Sequence, residues 1–236
     1  MNTILTNWRG GLIVSCQAAP GSPLAKPEII AALAETAEQN GAVGLRIDSP
    51  ENICAVKGRV KIPVLGIYKV VVDSSDVYIT PTLDAAEQII KAGSDVIAID
   101  GTDRPRPNGE KFKDIVSRVR ETHDCPIMAD IAEFGEGMRA AEVAGVDILS
   151  TTLSGYTSTT KHLTAPAFDL LKALAKNSSI PVVCEGRLRH PDDVKRAFDC
   201  GAFAVVVGGA ITGIDQLVQL FVGATPRGSV LVESAK

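Results

Sequence analysis

Two short stretches carry the residues best suited to chemistry. PVVCEGR (181–187) runs an apolar segment into Glu185 and then a glycine, and PVLGIYK (63–69) runs another into Lys69. Both are residue types almost never buried without a partner. An amine and a carboxyl, each delivered by the end of an apolar strand, suit proton transfer at a carbon beside a carbonyl: one group removes the proton and the other returns it. Groups on opposite faces of that carbon invert its configuration. Groups on one face, or a proton moved to the neighbouring carbon, give an isomerase of another kind. To act as a base Lys69 must be neutral. A shift of about 3 units from its reference value of about 10.4 means roughly 4 kcal/mol of destabilised ammonium. The apolar strand end and nearby Arg46 are suited to supply it. Glu185 needs the opposite, a raised pKa, and burial behind PVVC pushes that way.

Other apolar runs also end on polar residues: Gln17, Arg46, Asp100, Asp130, the Thr151/Thr152 pair, and Gly208 with Gly209. Asp130 is a third group able to tune or orient the lysine. Asp100 is followed by GTDRPRP (101–107), whose arginines offer local ion pairs, so a structural role competes with a functional one there. GGAIT (208–212) is small enough for backbone N–H groups to approach an anion, and Gly186 would serve the same site; the alternative is a tight turn needing positive φ. His123, His162 and His190 fall in helix or loop stretches without metal-ligand spacing, and no metal site is expected. The five cysteines form no C-x-x-C pair, which speaks for free thiols. No G-x-x-x-x-G-K-[ST] and no well-placed G-x-G-x-x-G anchors a nucleotide cofactor.

The elements that position these residues alternate. Strands are expected at 11–16, 42–47, 63–69, 95–100, 126–131, 147–152, 181–186 and 203–209, all rich in Val, Ile and Leu as parallel strands covered on both faces are. Helical patterns occupy 26–40, 49–58, 82–93, 111–122, 133–145, 165–177, 190–201 and 214–224. Glycine precedes a strand at Gly41, Gly93, Gly145 and Gly201, at intervals of 52, 52 and 56 residues, with Pro63, Pro126 and Pro181 opening strands between them. Each interval holds two βα units, and four such pairs close a (β/α)8 TIM barrel. An open doubly wound sheet is the alternative. In the barrel, the strand-end residues converge on one mouth, and the loops after strands seven and eight form a frequent phosphate site. The segment 71–81 breaks the rhythm and reads as an elaborated loop with a short strand. One domain over 1–223 and a poorly ordered tail over 224–236 follow.

Composition narrows the function further. The chain has 236 residues, 45% of them hydrophobic, with a formal net charge of −4 and 4% aromatic residues. It has no basic patch and no aromatic platform, so nucleic acid is not the expected partner. It has neither a signal-peptide-like start nor a run of 18 apolar residues, so a cytoplasmic protein without a membrane partner is expected.

The motifs SCQA (15–18), YITPT (78–82), RPRP (104–107), ADI (129–131), TTLSGYT (151–157), EGR (185–187) and GGAIT (208–212), in this order, together with GAVGLRI (41–47), GIYK (66–69) and the stretch 77–107, span nearly the whole chain. The chain resembles the N-acylglucosamine-6-phosphate 2-epimerases, also called N-acetylmannosamine-6-phosphate 2-epimerases. The resemblance implies a TIM barrel of the ribulose-phosphate-binding kind, no metal and no organic cofactor. It implies interconversion of N-acetylmannosamine 6-phosphate and N-acetylglucosamine 6-phosphate in sialic acid and amino-sugar use. It assigns C2 proton exchange to Lys69 and Glu185, substrate contacts to Gln17, Arg46 and Asp130, and phosphate to backbone groups near Gly186, Gly208 and Gly209. The family often places an arginine and a proline after AIT, where this chain has Gly213 and Ile214. Arg187 or Arg189 is then the cation expected to substitute. Asp103 likewise stands where the family has a base.

Two rivals share this reading of the residues. A Schiff-base aldolase would use Lys69 as a nucleophile, and a phosphosugar-binding sensor would do no chemistry. A small-molecule phosphosugar is the expected partner in each case. Barrels of this size commonly pair, so a homodimer is expected, with the Leu217/Leu220/Phe221 face of the last helix as interface or core.

Overall fold

The computed structural model describes residues 3–227. Eight parallel strands, β1 (Leu12–Cys16), β2 (Gly44–Asp48), β3 (Val64–Ile67), β4 (Val96–Asp100), β5 (Ile127–Asp130), β6 (Ile148–Ser150), β7 (Val182–Glu185) and β8 (Ala204–Val207), pair in sequence order. β8 closes on β1 with Val206 opposite Ile13. The fold is a (β/α)8 barrel, and the open sheet is set aside.

The strand sequences build it by a two-residue alternation. Val14, Cys16, Leu45, Ile47, Ile97, Ile99, Val182, Cys184, Val205 and Val207 share one core with residues of the surrounding helices, while Ile13, Leu65, Ile67, Val96, Ala98, Met128, Ile148, Val183, Ala204 and Val206 fill the lumen. Along several strands the lumen positions change from apolar to polar toward the C-terminal end. Ile13 gives way to Ser15, Met128 to Asp130, Ile148 to Ser150, and Val183 to Glu185. The site is therefore the polar top of a packed column.

The helices are α1 (Thr3–Trp8), α2 (Pro27–Gln39), α3 (Pro50–Lys57), α4 (Leu83–Lys91), α5 (Phe112–Thr122), α6 (Phe134–Arg139), α7 (Phe168–Asn177), α8 (Pro191–Asp199) and α9 (Ile214–Gly223). Proline opens α2, α3 and α8, where a missing N–H costs nothing. The helix expected over 133–145 is only partly α: after Arg139 it widens into a π-turn over Ala140–Ala144, closed by Gly145 in the left-handed region.

Three further features differ from the expected pattern or add to it. The helix α1 has no counterpart in the sequence reading; its Trp8 is fully buried and packs with Leu5, Ile13 and Leu65 at the closed end of the barrel. A side chain at position 44 would meet the indole at 2.6 Å, which explains Gly44. The segment 71–81 carries no full strand. The chain instead doubles back, with Lys69 bridged antiparallel to Ile79 and Val72 to Ser75, and with backbone bonds from Val70 to Tyr78 (2.9 Å) and from Thr80 to Tyr68 (2.7 Å). Finally, α9 buries none of its residues: Val218, Leu220, Phe221 and Val222 are exposed. Of the expected tail 224–236, residues 228–236 lie outside the described residues. Among the described residues no helix is long and apolar enough to cross a membrane.

Candidate active site

Arg46 is the centre of the site. It sits inside β2 rather than at its end, 1% exposed, so its charge needs partners. It finds two. Its Nη1 and Nη2 donate to Asp130 Oδ1 (3.2 Å) and Oδ2 (2.6 Å), and Nη1 also lies 3.0 Å from Glu185 Oε2. Thr152 ties the same groups together, donating to Asp130 Oδ1 (2.6 Å) and lying 3.1 Å from Glu185 Oε2. Ser150 Oγ is 2.8 Å from Thr152 Oγ1. The fork of a guanidinium suits this double recognition, and burial strengthens each contact. Arg46 Nε has no protein partner among the described residues.

Glu185 ends β7 with its side chain 13% exposed. Burial pushes its carboxyl up to about 7, with Arg46 opposing the shift and Asp130 adding to it. The Thr151 hydroxyl donates to the Glu185 carbonyl and accepts from the Glu185 amide, so the backbone carrying the carboxyl is fixed as well.

Lys69 leaves the barrel two residues beyond β3. Its Nζ donates to Gln17 Oε1 and lies 3.9 Å from Asp48 Oδ2, and its backbone N–H donates to Asp48 Oδ1 (2.9 Å). Gln17 is held in turn by a bond to Ser15 Oγ (2.7 Å). Surrounding protein lowers the Lys69 pKa, chiefly by withdrawing water, while Asp48 opposes the shift and Arg46 adds to it. Lys69 and Glu185 each feel the other's charge.

Five of the expected residues thus gather at the mouth: Gln17, Arg46, Lys69, Asp130 and Glu185. Asp130 has a different partner from the one expected. Its direct contacts are Arg46 and Thr152, so it does not orient the lysine, and it acts on Lys69 through its charge alone. Asp100 is a structural carboxylate: it pairs with Arg104 at 2.6 Å and accepts from the Thr102 hydroxyl at 2.6 Å. Asp48 is the site residue that the sequence reading missed. It ends β2 two residues beyond Arg46, so the alternation that turns Arg46 inward turns Asp48 inward too; stopping at the first polar residue of the run hid it.

After β8, Gly208 begins a tight turn, its carbonyl accepting from Ile211 (2.8 Å) and Thr212 (2.9 Å), and the Thr212 hydroxyl donates to the Ser15 carbonyl (2.7 Å). A side chain at 208 would meet Ser15 Cβ at 3.1 Å, and Gly186 holds a φ of 108°. At 213 a Cβ would stand 2.7 Å from the Gly209 carbonyl oxygen, so the turn has closed over the place of the arginine often found there. Arg187 is engaged elsewhere: its Nη1 and Nη2 donate to the carbonyls of Ser154 (2.7 Å) and Gly155 (2.8 Å), and the guanidinium lies 4.1 Å from the Tyr156 ring centroid. It anchors the segment after β6. Arg189 is exposed. Asp103 pairs with Arg139. A cleft of about 480 Å3 opens between the hairpin after β3 and the segment after β6, lined by residues that include Tyr78, Arg104, Tyr156 and Lys161.

Comparisons with known proteins identify the family. The family model described as "Putative N-acetylmannosamine-6-phosphate epimerase", NanE, matches residues 30–227. A relative from Synechococcus elongatus bearing that designation as a 2-epimerase is 49% identical over 222 residues, covering 93% of this chain and 95% of its own. One from Clostridioides difficile is 42% identical over 221 residues, covering 94% and 98%. The solved structure of the N-acetylmannosamine-6-phosphate 2-epimerase from Clostridium perfringens superimposes with a TM-score of 0.90 at 40% identity, covering 95% of this chain and 97% of that one. A thiamine phosphate pyrophosphorylase from Pyrococcus furiosus, 13% identical with a TM-score of 0.61, shares the fold. The chain belongs to the NanE family of N-acetylmannosamine-6-phosphate epimerases, and is an isomerase.

Proposed function

We propose that this enzyme interconverts N-acetylmannosamine 6-phosphate and N-acetylglucosamine 6-phosphate by moving the proton on C2, in sialic acid and amino-sugar breakdown in the cytoplasm. Lys69 takes the proton on one face, and Glu185 supplies one on the other. The single observation that carries this reading is the pairing of a lysine whose pKa is lowered with a glutamate whose pKa is raised to about 7, at one barrel mouth. Removal of a C2 proton requires a carbonyl at C1, so the reacting sugar is the open-chain aldehyde or its equivalent. Arg46, already shared by two carboxylates, keeps Glu185 oriented and disfavours the ammonium of Lys69. Gln17 and Asp130 complete the polar lining. The backbone around Gly186, Gly208 and Gly209 takes the phosphate, as its lack of side chains allows.

The test is turnover in heavy water, followed by proton NMR. Product carrying deuterium at C2 supports proton exchange. Product without it rejects the mechanism in favour of transient oxidation at another carbon.

The enzyme acts as a homodimer in this reading, and α9 is the support for it. A helix apolar enough to have Val218, Leu220, Phe221 and Val222 exposed, with no buried residue of its own, is covered in solution by something. A second copy meets that need with a surface the chain already has.

A further inference from the structure

Asp48 has no assigned part in the proton transfer, yet it is built into the lysine's position from two directions. Its Oδ1 accepts the backbone N–H of Lys69 at 2.9 Å, and its Oδ2 lies 3.9 Å from Lys69 Nζ. Asp48 is itself held firmly. Its carbonyl accepts from Asn52 Nδ2 at 2.8 Å, and the next residue, Ser49, donates to the Ile67 carbonyl at 3.0 Å and caps α3 with a φ of 78°. On its other side Lys69 is bridged to Ile79 of the hairpin.

The groups facing Lys69 come from four elements: Asp48 and Arg46 from β2, Gln17 after β1, Glu185 from β7 and Asp130 from β5. Glu185 and Asp130 are both in contact with Arg46. Gln17 is neutral. Among the described residues, Asp48 is the carboxylate whose ion-pair contact is the lysine itself.

We infer that Asp48 is a positioning residue for the reacting amine, one carboxylate oxygen fixing the Lys69 backbone where the chain leaves the barrel and the other supplying the counter-charge to its ammonium. Burial favours the neutral amine, and Asp48 is the largest opposing influence, so the carboxylate governs how much of the amine is free to act as a base. The inference rests on the reading of Lys69 as the base.

The experiment is an NMR titration of protein carrying 13C at lysine Cε, with the Lys69 signal assigned by its loss in Lys69→Arg. Asp48→Asn keeps an oxygen for the backbone bond and removes the charge. Lys69 is expected to titrate about one unit lower in this variant. Asp48→Glu, which restores the charge, should bring the value back toward that of the wild type. Asp48→Ser, smaller and uncharged, serves the same purpose if the asparagine variant does not fold. The alkaline limb of kcat against pH should move down with the Lys69 titration. An unchanged Lys69 titration in the uncharged variants overturns the inference. A shifted titration combined with full turnover by Lys69→Arg would instead reject Lys69 as the base and leave the Asp48 contact standing.

Discussion

Arg46 Nη1 stands 3.0 Å from Glu185 Oε2 while the same guanidinium holds both oxygens of Asp130. One buried cation thus serves two carboxylates, and among the described residues no other cation forms an ion pair with either. Arg46→Met therefore leaves two carboxyls unpaired in the lumen. It should cost about 3 to 5 kcal/mol in urea unfolding and remove activity. Arg46→Lys, which cannot reproduce the fork, should recover little of either. Near-wild-type stability for Arg46→Met would mean that the three groups do not act as a unit.

Glu185→Gln should abolish epimerisation and keep phosphosugar binding, readable by calorimetry. Its stability carries a signed expectation. The carboxyl has a folded value near 7 against 4.5 as its ordinary one, so the native state retains the proton over a range where the unfolded chain has lost it. Wild-type stability from this group is fully present below about 4.5 and is lost as pH rises to 7. The glutamine variant should gain on wild type by up to roughly 3 kcal/mol across that interval. A constant difference between the two proteins would show that Glu185 titrates normally.

The pH profile follows from the two reacting groups together. A proton passes between them through the substrate, so the productive enzyme holds one proton on the pair in either direction of reaction. Activity should rise as pH climbs through about 7, where the doubly protonated pair loses a proton, and fall where Lys69, lowered from 10.5, loses its own. Both directions should share these limbs. Limbs that differ between directions would point to a third titrating group.

Gly213 offers a test of the phosphate lip. A methyl group there meets the Gly209 carbonyl at 2.7 Å, although the φ of −81° suits any residue. Gly213→Ala should therefore destabilise by about 1 to 3 kcal/mol through crowding alone, and should raise KM for the phosphosugar more than it lowers kcat. An unchanged KM would separate this turn from the phosphate.

Phe221→Glu, placed on the exposed face of α9, should halve the apparent mass in sedimentation if copies pair through that helix. A monomeric wild type would dispose of the pairing.

Much of this was legible in the sequence, for reasons specific to the residues. Regular glycine and proline punctuation marked seven of the eight buried strands, and the strand-end positions of Lys69 and Glu185 put both at one mouth. Partners were less legible. Arg46 faces Asp130 across 84 positions of sequence, and nothing local to Asp130 indicates that it binds an arginine rather than a lysine. Asp48 was concealed because one inward polar residue had already been taken from its strand. The family motif did not reveal that Arg187 is committed to two carbonyls. The N-terminal helix escaped because six residues of mixed character show no clear period; Trp8 was the one clue.

That tryptophan gives the barrel a floor. The lumen is closed at one end by an indole resting against Gly44 and open at the other, so the column of side chains beneath the reacting groups has a fixed base to stand on. A chain trimmed to begin at Gly11 would keep every reacting residue and still lose its bottom stopper. Damage inflicted there should be felt at the far end as a loosened rim.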